Sequence, residues 1–272
     1  MINKEHSIFH EIGQVISNVE IASGIYEATI KSLNVSKVSR PGQFINILPS
    51  KKFQSVMRRP MSIASQGDDE ISIIYKPIGE GTKIMMRWVE GEEVDYIGPL
   101  GNCWTGYDRY YPIIIGGGVG IAPILNLHNE LLLKKIDHLL IMGARTKNEH
   151  FLDHDLENNI YMTTDDGTLG ISGNVVDALS LFLSKHDNQN DNKIFSCGPP
   201  KMMESLKSFS DKFDIKCDLA LETIMACGIG ICQGCTVEKN VESNLENTYR
   251  NRYALACVDG PIFSSKEIIK CG

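Results

Sequence analysis

The first hundred residues carry short runs in which apolar and polar positions nearly alternate. β-Branched and aromatic residues are frequent in these runs, which cover residues 12–17, 25–30, 43–48 and 71–75. Turn-forming pairs such as Pro41-Gly42 and Glu90-Gly91 separate them. Alternation of this kind is typical of half-buried strands, and several such strands in series predict a small antiparallel β-barrel. A single helix, predicted over residues 82–89, interrupts the series.

After residue 110, unbroken apolar runs alternate with stretches of helical periodicity. The predicted strands cover residues 111–115, 138–143, 159–163 and 193–196, and the predicted helices cover residues 125–133, 174–183 and 200–209. Strands that alternate with helices predict a parallel α/β sheet. We therefore divide the chain into a β-barrel domain (1–107), an α/β domain (108–216) and a small C-terminal subdomain (217–272). The polar stretch 184–192 is predicted to be a loop, and the polar stretch 240–251 is predicted to be an exposed connecting segment.

Composition and charge narrow the class of protein. The chain has 272 residues, 42% of them hydrophobic, and a formal net charge of −7. An acidic balance argues against a nucleic-acid surface. The longest mostly apolar run, residues 113–125, is shorter than the roughly 20 residues that span a bilayer. Because the N-terminus also lacks the apolar core of a signal peptide, we expect a soluble cytoplasmic protein with no nucleic-acid or membrane partner.

Four cysteines near the C-terminus form the most specific motif in the chain. Cys227, Cys232 and Cys235 have the spacing C-x4-C-x2-C, and Cys257 follows Cys235 after 21 residues. This is the plant-type spacing of a [2Fe–2S] cluster, in which four thiolates hold two irons. Glycines in both gaps allow a tight loop around such a cluster. Cys271 is an alternative fourth ligand, but we favour Cys257 because Cys271 lies next to the chain end, where fraying is common.

Two glycine-containing loops follow predicted strands of the α/β domain. In each loop a strand ends and a helix begins, so free backbone N–H groups and a helix N-terminus face the carboxyl edge of the sheet, where dinucleotides bind. The first loop departs from the G-x-G-x-x-G fingerprint and could be a structural turn. A second loop on the same edge favours a nicotinamide dinucleotide site. The predicted residues are Gly116, Gly117, Gly118, Gly120, Cys197, Gly198 and Pro199.

The barrel half contains a charged segment at residues 58–64, with the sequence Arg-Arg-Pro-Met-Ser-Ile-Ala. A cation beside a hydroxyl on one strand suits a phosphate and the polar edge of a ring. Gly81 and Thr82 stand at the predicted start of a helix, where an anion can bind. Arg58 and Arg59 could equally be solvated surface charges, and Thr82 could be an ordinary helix cap.

Together these motifs resemble the ferredoxin–NADP reductase superfamily. More narrowly, the chain resembles the electron-transfer subunits of class B dihydroorotate dehydrogenase. The shared motifs are Arg-Arg-Pro-Met-Ser-Ile at 58–63, Gly-Gly-Gly-Val-Gly-Ile-Ala-Pro at 116–123, the cysteine loop 227–235 and the fourth-cysteine segment 257–263. The resemblance spans nearly the whole chain. It implies a β-barrel FAD domain, an α/β parallel-sheet NAD domain and a small C-terminal [2Fe–2S] cluster subdomain.

The resemblance also implies particular cofactor contacts. The residues expected to contact FAD are Arg59, Pro60, Met61, Ser62, Ile74, Tyr75, Lys76, Gly81 and Thr82. Ser62 would lie near the flavin ring and Arg59 near the phosphates. Met61 departs from the superfamily's Tyr, so an aromatic stacking partner is absent there, and Ala122 replaces a Pro of the commoner glycine loop. Glu222, five residues before the first cluster cysteine, is a candidate contact for the flavin and the nicotinamide, or else a surface carboxylate.

The three cofactors suit a relay of electrons. A nicotinamide exchanges two electrons as a hydride, an iron–sulfur cluster passes one, and flavin can do both, so FAD must lie between them. No side chain need act as a general base. The resemblance implies an oxidoreductase subunit that links an FMN-containing catalytic subunit to [2Fe–2S], FAD and NAD in pyrimidine biosynthesis, within a heterotetramer. The alternative is a differently partnered NAD(P)H reductase linked to ferredoxin or sulfide.

The choice between NAD and NADP rests on few residues. Arg145, Thr146 and Lys147 follow the second strand of the α/β domain, where an arginine can accommodate the 2′-phosphate of NADP. They could equally form a solvated loop, and the resemblance favours NAD. A turn is predicted at residues 165–167, with the sequence Asp-Asp-Gly, and it could touch the dinucleotide.

Overall fold

The N-terminal part of the chain is a closed six-stranded barrel, as predicted. The computed structural model describes residues 7–51, 57–185, 191–240 and 248–271. The barrel strands pair antiparallel in the order β1-β2-β5-β4-β3-β6. They are β1 (Phe9–Ala22), β2 (Ile25–Lys31), β3 (Phe44–Leu48), β4 (Arg59–Gln66), β5 (Glu70–Tyr75) and β6 (Glu93–Leu100). A short helix, α1 (Val35–Val38), follows β2.

The longer helix of the barrel domain, α2 (Glu80–Met85), corrects the predicted range 82–89, and α1 is a further short helix that the prediction of a single helix did not include. It begins earlier because Gly79 is extended and caps the first turn. The Thr82 hydroxyl accepts a hydrogen bond from the Gly79 N–H and donates one to the Gly79 carbonyl, both at 3.1 Å. Gly81 and Thr82 therefore lie inside the first turn of the helix. The chain leaves the helix after Met85, and Trp88 packs with Met85 in the barrel core.

The second part is a seven-stranded sheet in the order β10-β9-β8-β7-β11-β12-β15. Strands β7 to β12 run parallel, and β15 pairs antiparallel with β12 at one edge. The strands are β7 (Tyr111–Gly117), β8 (Leu139–Ala144), β9 (Ile160–Thr164), β10 (Ile171–Ser172), β11 (Asn192–Cys197), β12 (Lys216–Ala220) and β15 (Ile262–Ser264). The helices are α3 (Ile121–Leu133), α4 (Val175–Lys185) and α5 (Pro200–Phe213). The predicted α/β class is confirmed.

The strand order reverses between β7 and β11, because successive strands extend from β7 in one direction and from β11 in the other. In open α/β sheets, such a reversal leaves a crevice at the carboxyl ends of the two strands, and ligands bind there. The two predicted glycine loops, residues 116–120 and 197–199, lie at this point.

The C-terminal residues continue the α/β sheet before and after the cysteine loop. Strand β12 straddles the proposed boundary at 216/217, and β15 returns to pair with it. The remaining elements are β13 (Thr236–Glu238), α6 (Tyr249–Arg252) and β14 (Tyr253–Leu255), with β13 and β14 forming a hairpin. The proposed domain divisions stay predictions. Most residues of the predicted loop 184–192 and of the predicted exposed segment 240–251 lie outside the described residues. Within the described residues, α4 extends to Lys185 and α6 covers the end of the second segment.

Helices of the described ranges are too short or too polar to cross a bilayer.

Candidate functional site

A cleft of about 340 Å³ opens between barrel strands β4 and β5 and the segment that follows β12. It brings together most of the residues predicted to contact the flavin. The predicted residues that line it are Arg59, Pro60, Met61, Ser62, Ile74, Tyr75, Lys76, Thr82 and Glu222. Its walls combine apolar surface from both parts of the chain with hydroxyl and cationic groups, which is the mixture that a flavin nucleotide needs.

Arg59 supplies a cation at the end of this cleft near α2. Its Nε atom lies 2.9 Å from the position that a Cβ on Gly81 would take, so the missing side chain of Gly81 makes room for the guanidinium. Gly81 does not line the cleft but packs beneath Arg59. A guanidinium beside backbone N–H groups of a first helical turn suits a pyrophosphate.

Arg58 has a different role from its neighbour, because it points to the barrel wall. Its guanidinium pairs with Asp95 at 2.7 Å and donates to the backbone carbonyl of Asn46 at 3.2 Å. Burial opposes ionisation of Asp95, but hydrogen bonds from Arg58 and His10 outweigh it and lower the pKa of this carboxyl. Arg58 therefore joins strands β3 and β6 and is neither a free surface charge nor part of the cleft.

Tyr75 reaches the cleft, but its ring lies in the barrel core. The phenol donates a hydrogen bond to Asn18 Oδ1 at 2.8 Å, and burial raises the pKa of Tyr75 to about 12. The adjacent Ile74 and Lys76 bracket it on the chain and also line the cleft. Successive side chains of a strand point to opposite faces, so the Tyr75 ring packs in the barrel core while Ile74 packs in a separate cluster outside it.

A second cleft, of about 470 Å³, lies at the carboxyl edge of the α/β sheet. It is bounded by the ends of β7, β8 and β9 and by the first turns of α4 and α5. Gly117, Gly118 and Pro199, all predicted to contact the dinucleotide, line it. Lys76 lines this cleft as well as the first, so the two clefts meet at its side chain.

The other predicted loop residues pack behind this lining. A Cβ on Gly120 would lie 2.6 Å from the Cys197 carbonyl oxygen and from the Gly198 nitrogen, so the two loops touch through their backbones. A Cβ on Gly116 would lie 2.9 Å from the Cα of Ile121. Burial raises the pKa of the Cys197 thiol. The structure therefore brings both loops together, as expected for one site at the switch between β7 and β11.

An ion-pair cluster lies where the two clefts meet. The Glu149 carboxylate accepts hydrogen bonds from Arg145 Nη2 at 2.5 Å and from Lys76 Nζ at 3.3 Å. Hydrogen bonding from Arg145 is the main cause that lowers the pKa of Glu149 to about 2. The backbone adds a contact between the two parts of the chain, because the Ser23 N–H donates to the Asn148 carbonyl at 2.8 Å.

Glu222 lies at the wall of the first cleft, on the segment that leads from β12 to the cysteine loop. Although its side chain reaches the open cleft, the protein around it reduces its hydration, and this burial raises the pKa of the carboxyl. A carboxyl of this kind in a cofactor cleft is a candidate functional group. The structure thus places Glu222 where the sequence suggested, beside the predicted flavin residues.

The four predicted cluster ligands lie in one region as two pairs. Cys235 Sγ is 3.2 Å from Cys257 Sγ, and the Cys232 N–H donates to Cys227 Sγ at 3.4 Å. Burial opposes ionisation of Cys227, but backbone N–H groups of the loop outweigh it and lower the pKa of this thiol to about 6. Within the described ranges, three ligand side chains do not converge on one ion. Two cysteine pairs, one of them on a loop whose N–H groups face the Cys227 sulfur, fit a dinuclear cluster.

Cys271 lies apart from this region. Its N–H donates to Glu204 Oε1 on α5 at 2.7 Å, and burial raises the pKa of its thiol to about 12. The contact between Cys235 and Cys257 supports the choice of Cys257 as fourth ligand, which stays a prediction.

The cysteine loop is attached to the barrel beside the flavin cleft. Asn46 Nδ2 of β3 donates to the carbonyl of Ala226 at 3.2 Å, one residue before Cys227. Met225, two residues before Cys227, lines the flavin cleft itself. Cys227, the first predicted ligand, is therefore two residues away from the wall of the cleft. A cluster held by Cys227 would be close to a flavin bound in the cleft.

Glu149 and Asn46 are two residues of this region that were not predicted from the sequence. Asn46 had a signal, since it is the polar residue of the otherwise apolar strand Phe44–Leu48. Glu149 stands four residues after Arg145, a spacing at which opposite charges often pair in helices. Neither signal could show which distant residue the side chain would meet.

A flavin-type barrel, a dinucleotide-binding sheet and a four-cysteine loop on one chain define an iron–sulfur flavoprotein reductase. Residues 222–269 match the iron–sulfur cluster binding domain of dihydroorotate dehydrogenase B, and residues 114–208 match the oxidoreductase NAD-binding domain. A solved NADH-dependent reduced ferredoxin–NADP oxidoreductase is 27% identical, with a TM-score of 0.79 over 96% of this chain and 90% of that chain. Phthalate dioxygenase reductase, 15% identical, shares the fold with a TM-score of 0.63, over 92% of this chain and 94% of that one.

Curated relatives specify the family further. An electron-transfer subunit of dihydroorotate dehydrogenase B (NAD+) from Fusobacterium nucleatum is 33% identical, covering 93% of this chain and 96% of the relative. The subunit of the same description from Bacillus velezensis is also 33% identical, over 93% and 96%. The chain belongs to the family of electron-transfer subunits of dihydroorotate dehydrogenase B.

Proposed function

We propose that this chain carries electrons between a dihydroorotate-oxidising partner and NAD, through a [2Fe–2S] cluster and FAD. The observation that carries the proposal is the continuity of the three sites. The two clefts meet at Lys76, and the wall of the flavin cleft includes Met225, which precedes Cys227 by two residues. Electron carriers placed in these sites would follow one another in space in the order that their chemistry requires.

The residues of the first cleft have separate roles in this proposal. When bound, FAD would supply the exchange between hydride and single-electron chemistry. Arg59 would neutralise its phosphates, and Ser62 would hydrogen-bond the polar edge of the ring. Glu222, whose pKa is raised by burial, would hold or release a proton at its carboxyl oxygen inside the cleft. The apolar walls would exclude water from the ring.

The second cleft would position the nicotinamide dinucleotide. Gly118 and the first turn of α5, through Lys201 and Met202, line this cleft, and their backbone N–H groups would bind the pyrophosphate. Because Gly120 has no side chain, the two loops can touch. A Cβ on Gly118 would meet no atom within 4 Å, so the cleft is open at this residue and has room for the dinucleotide. The nicotinamide would then extend toward Lys76 and the first cleft, which orients it against the flavin.

The four cysteines would hold the [2Fe–2S] cluster, with Cys227 and Cys232 on one iron and Cys235 and Cys257 on the other. Apolar residues surround this loop and are exposed. Ile224 and Ile231 are 82% and 77% accessible, and Ile229 and Val258 are also exposed. Exposed apolar surface of this kind is typical of a protein interface. We propose that the FMN-containing catalytic subunit docks here in a heterotetramer, and that the complex works in the cytoplasm in pyrimidine biosynthesis.

The proposal is tested with purified components under anaerobic conditions. The chain alone should show flavin absorption with a [2Fe–2S] contribution, and NADH should reduce its flavin. Dihydroorotate should reduce NAD+ only when the FMN-containing dehydrogenase encoded by the same genome is added. If the chain alone oxidises dihydroorotate at the full rate, the proposal is wrong.

A second candidate rests on the likeness to the solved NADH-dependent reduced ferredoxin–NADP oxidoreductase, which covers most of both chains. In this alternative the chain is a reductase whose redox partner is ferredoxin, or sulfide, in place of the FMN subunit. The same assay separates the two. Rapid exchange with reduced ferredoxin, together with no coupling to the FMN subunit, would favour the alternative.

A further inference from the structure

The dinucleotide cleft holds an arginine at a position that decides between NAD and NADP. Arg145 follows the carboxyl end of β8, the strand beside β7, which carries the first glycine loop. In doubly wound sheets, the residues after this neighbouring strand meet the adenosine ribose. An acidic residue there binds the 2′-hydroxyl of NAD, and an arginine accommodates the 2′-phosphate of NADP. Arg145 by itself would therefore favour NADP.

Glu149 is the ion-pair partner of this arginine. Besides the bond from Nη2, the Glu149 carboxylate accepts the Arg145 backbone N–H at 3.3 Å. The Arg145 side chain is 76% accessible and the Glu149 side chain 14%, so an exposed cation is paired with a largely buried anion. Glu149 is fixed because it ends a short 3-10 turn and also accepts a hydrogen bond from Lys76. The low pKa of Glu149 keeps it ionised at neutral pH.

Asp165 brings a second carboxylate to the same wall. It follows β9 and lines the dinucleotide cleft together with Arg145 and Glu149. Two backbone hydrogen bonds hold its turn in place. The Asp165 N–H donates to the Ala144 carbonyl at 3.2 Å, and the Asp166 N–H donates to the Arg145 carbonyl at 3.3 Å. Arg145 therefore shares this wall of the cleft with two acidic residues, Glu149 and Asp165.

We propose that Glu149, supported by Asp165, makes the cleft selective for NAD(H) by neutralising Arg145 and repelling a 2′-phosphate. The inference rests on the proposed function, since it concerns the dinucleotide of that same site. A phosphate carries nearly two negative charges near neutral pH. It would have to displace Glu149 from Arg145 and would then lie close to both carboxylates. A ribose 2′-hydroxyl meets no such repulsion and can donate a hydrogen bond to a carboxylate.

The test compares NADH and NADPH as reductants of the bound flavin by anaerobic stopped-flow absorption. We expect the wild type to prefer NADH. Glu149→Gln keeps the size of the side chain and removes its charge, so kcat/KM for NADPH should rise about five- to tenfold relative to NADH, because Arg145 becomes available to the phosphate. Asp165→Asn should change the ratio in the same direction, by a smaller factor. Glu130→Gln, which breaks a surface ion pair with Lys134 on α3, is the matched control and should leave the ratio unchanged.

The double variant Glu149→Gln/Arg145→Ala identifies the cation that takes the phosphate. It should lose the gain in NADPH use, because Arg145 is absent and, of the two cations that are bonded to Glu149 in the wild type, only Lys76 remains. A persistent gain would overturn the assignment to Arg145. Flavin absorption and melting temperature show that each variant is folded and loaded.

Two results would overturn the inference and leave the proposed function intact. One is a wild type that uses NADPH as well as NADH, and the other is an unchanged ratio in folded Glu149→Gln and Asp165→Asn. If neither reductant reduces the wild-type flavin, the proposed function fails, and the inference fails with it.

Discussion

Gly120→Ala tests whether close packing of the two glycine loops builds the dinucleotide cleft. The backbone of Gly120 has an ordinary helical conformation, with φ −63° and ψ −7°, so an alanine is compatible with its dihedral angles. The added methyl would lie 2.6 Å from three backbone atoms of Cys197 and Gly198, whereas ordinary contacts begin at 3.4 Å. Backbone cannot rotate away as a side chain can, so the loops must separate by about 0.8 Å.

This displacement sets the size of the expected effect. Overpacking of this kind costs about 1–3 kcal/mol of stability. A shift approaching 1 Å in a group that positions a substrate can lower a rate about a hundredfold. We therefore expect kcat/KM for NADH-dependent flavin reduction to fall by about two orders of magnitude. The flavin cleft and the cysteine loop do not include Gly120, so FAD and cluster content should remain close to wild type.

The assay is stopped-flow reduction of the flavin by NADH, with chemical reduction by dithionite as the reference for cofactor integrity. Gly67→Ala is the matched control, since its nearest neighbour would be the flexible side chain of Glu70 on an exposed turn. The reasoning is refuted if Gly120→Ala reduces at the wild-type rate with an unchanged melting temperature. A uniform loss of FAD, cluster and stability would show that Gly120 acts on folding alone.

Three further predictions concern the other sites. Cys257→Ser should lose the [2Fe–2S] absorption and the paramagnetic signal of the reduced cluster while keeping FAD. Cys271→Ser should keep the cluster and FAD, and the reverse pattern would contradict the ligand assignment. Arg59→Ala should weaken FAD binding about ten- to hundredfold, through loss of charge-assisted bonds to phosphate, measured by fluorescence of released flavin; full retention would exclude a phosphate contact. His128 has a pKa lowered to about 4, mainly by burial, so its neutral form is favoured in the folded state. Stability should therefore fall as pH drops from 6.5 toward 4, by on the order of 2 kcal/mol from this group. His128→Gln should reduce that fall in thermal unfolding, and equal falls in both proteins would count against it.

Local patterns in the sequence were sufficient to predict much of the fold. Alternating residues indicated the barrel strands because a strand exposes its two faces in turn. Uninterrupted apolar runs indicated the parallel strands, because such strands are buried on both faces. Glycines at the ends of β7 and β8 indicated where the chain must turn tightly. The exact start of α2 was mistaken because a capping residue, Gly79, and the hydroxyl of Thr82 defined it.

The candidate site was predictable only where its chemistry lies within a short segment. The spacing of the first three cysteines and the motif around Arg59 are properties of neighbouring residues. The structure brings Cys227 and Cys232 into contact and places Arg59 and Ser62 along one cleft. The role of Arg58 was not predictable, since its partner Asp95 is 37 residues away. Two adjacent arginines with the same chemistry thus have different surroundings, because Arg58 pairs with Asp95 whereas Arg59 lines the first cleft.

The sequence by itself determined the kinds of groups present: four thiols at cluster spacing, glycines at strand ends, and cations on a barrel strand. Tertiary structure alone decided which groups meet. Lys76 and Glu149 are 73 residues apart and join the two clefts, and Asn46 reaches Ala226 across 180 residues to hold the cysteine loop. Such contacts depend on how the barrel and the sheet pack, and packing sums many weak interactions that no short segment of the chain contains.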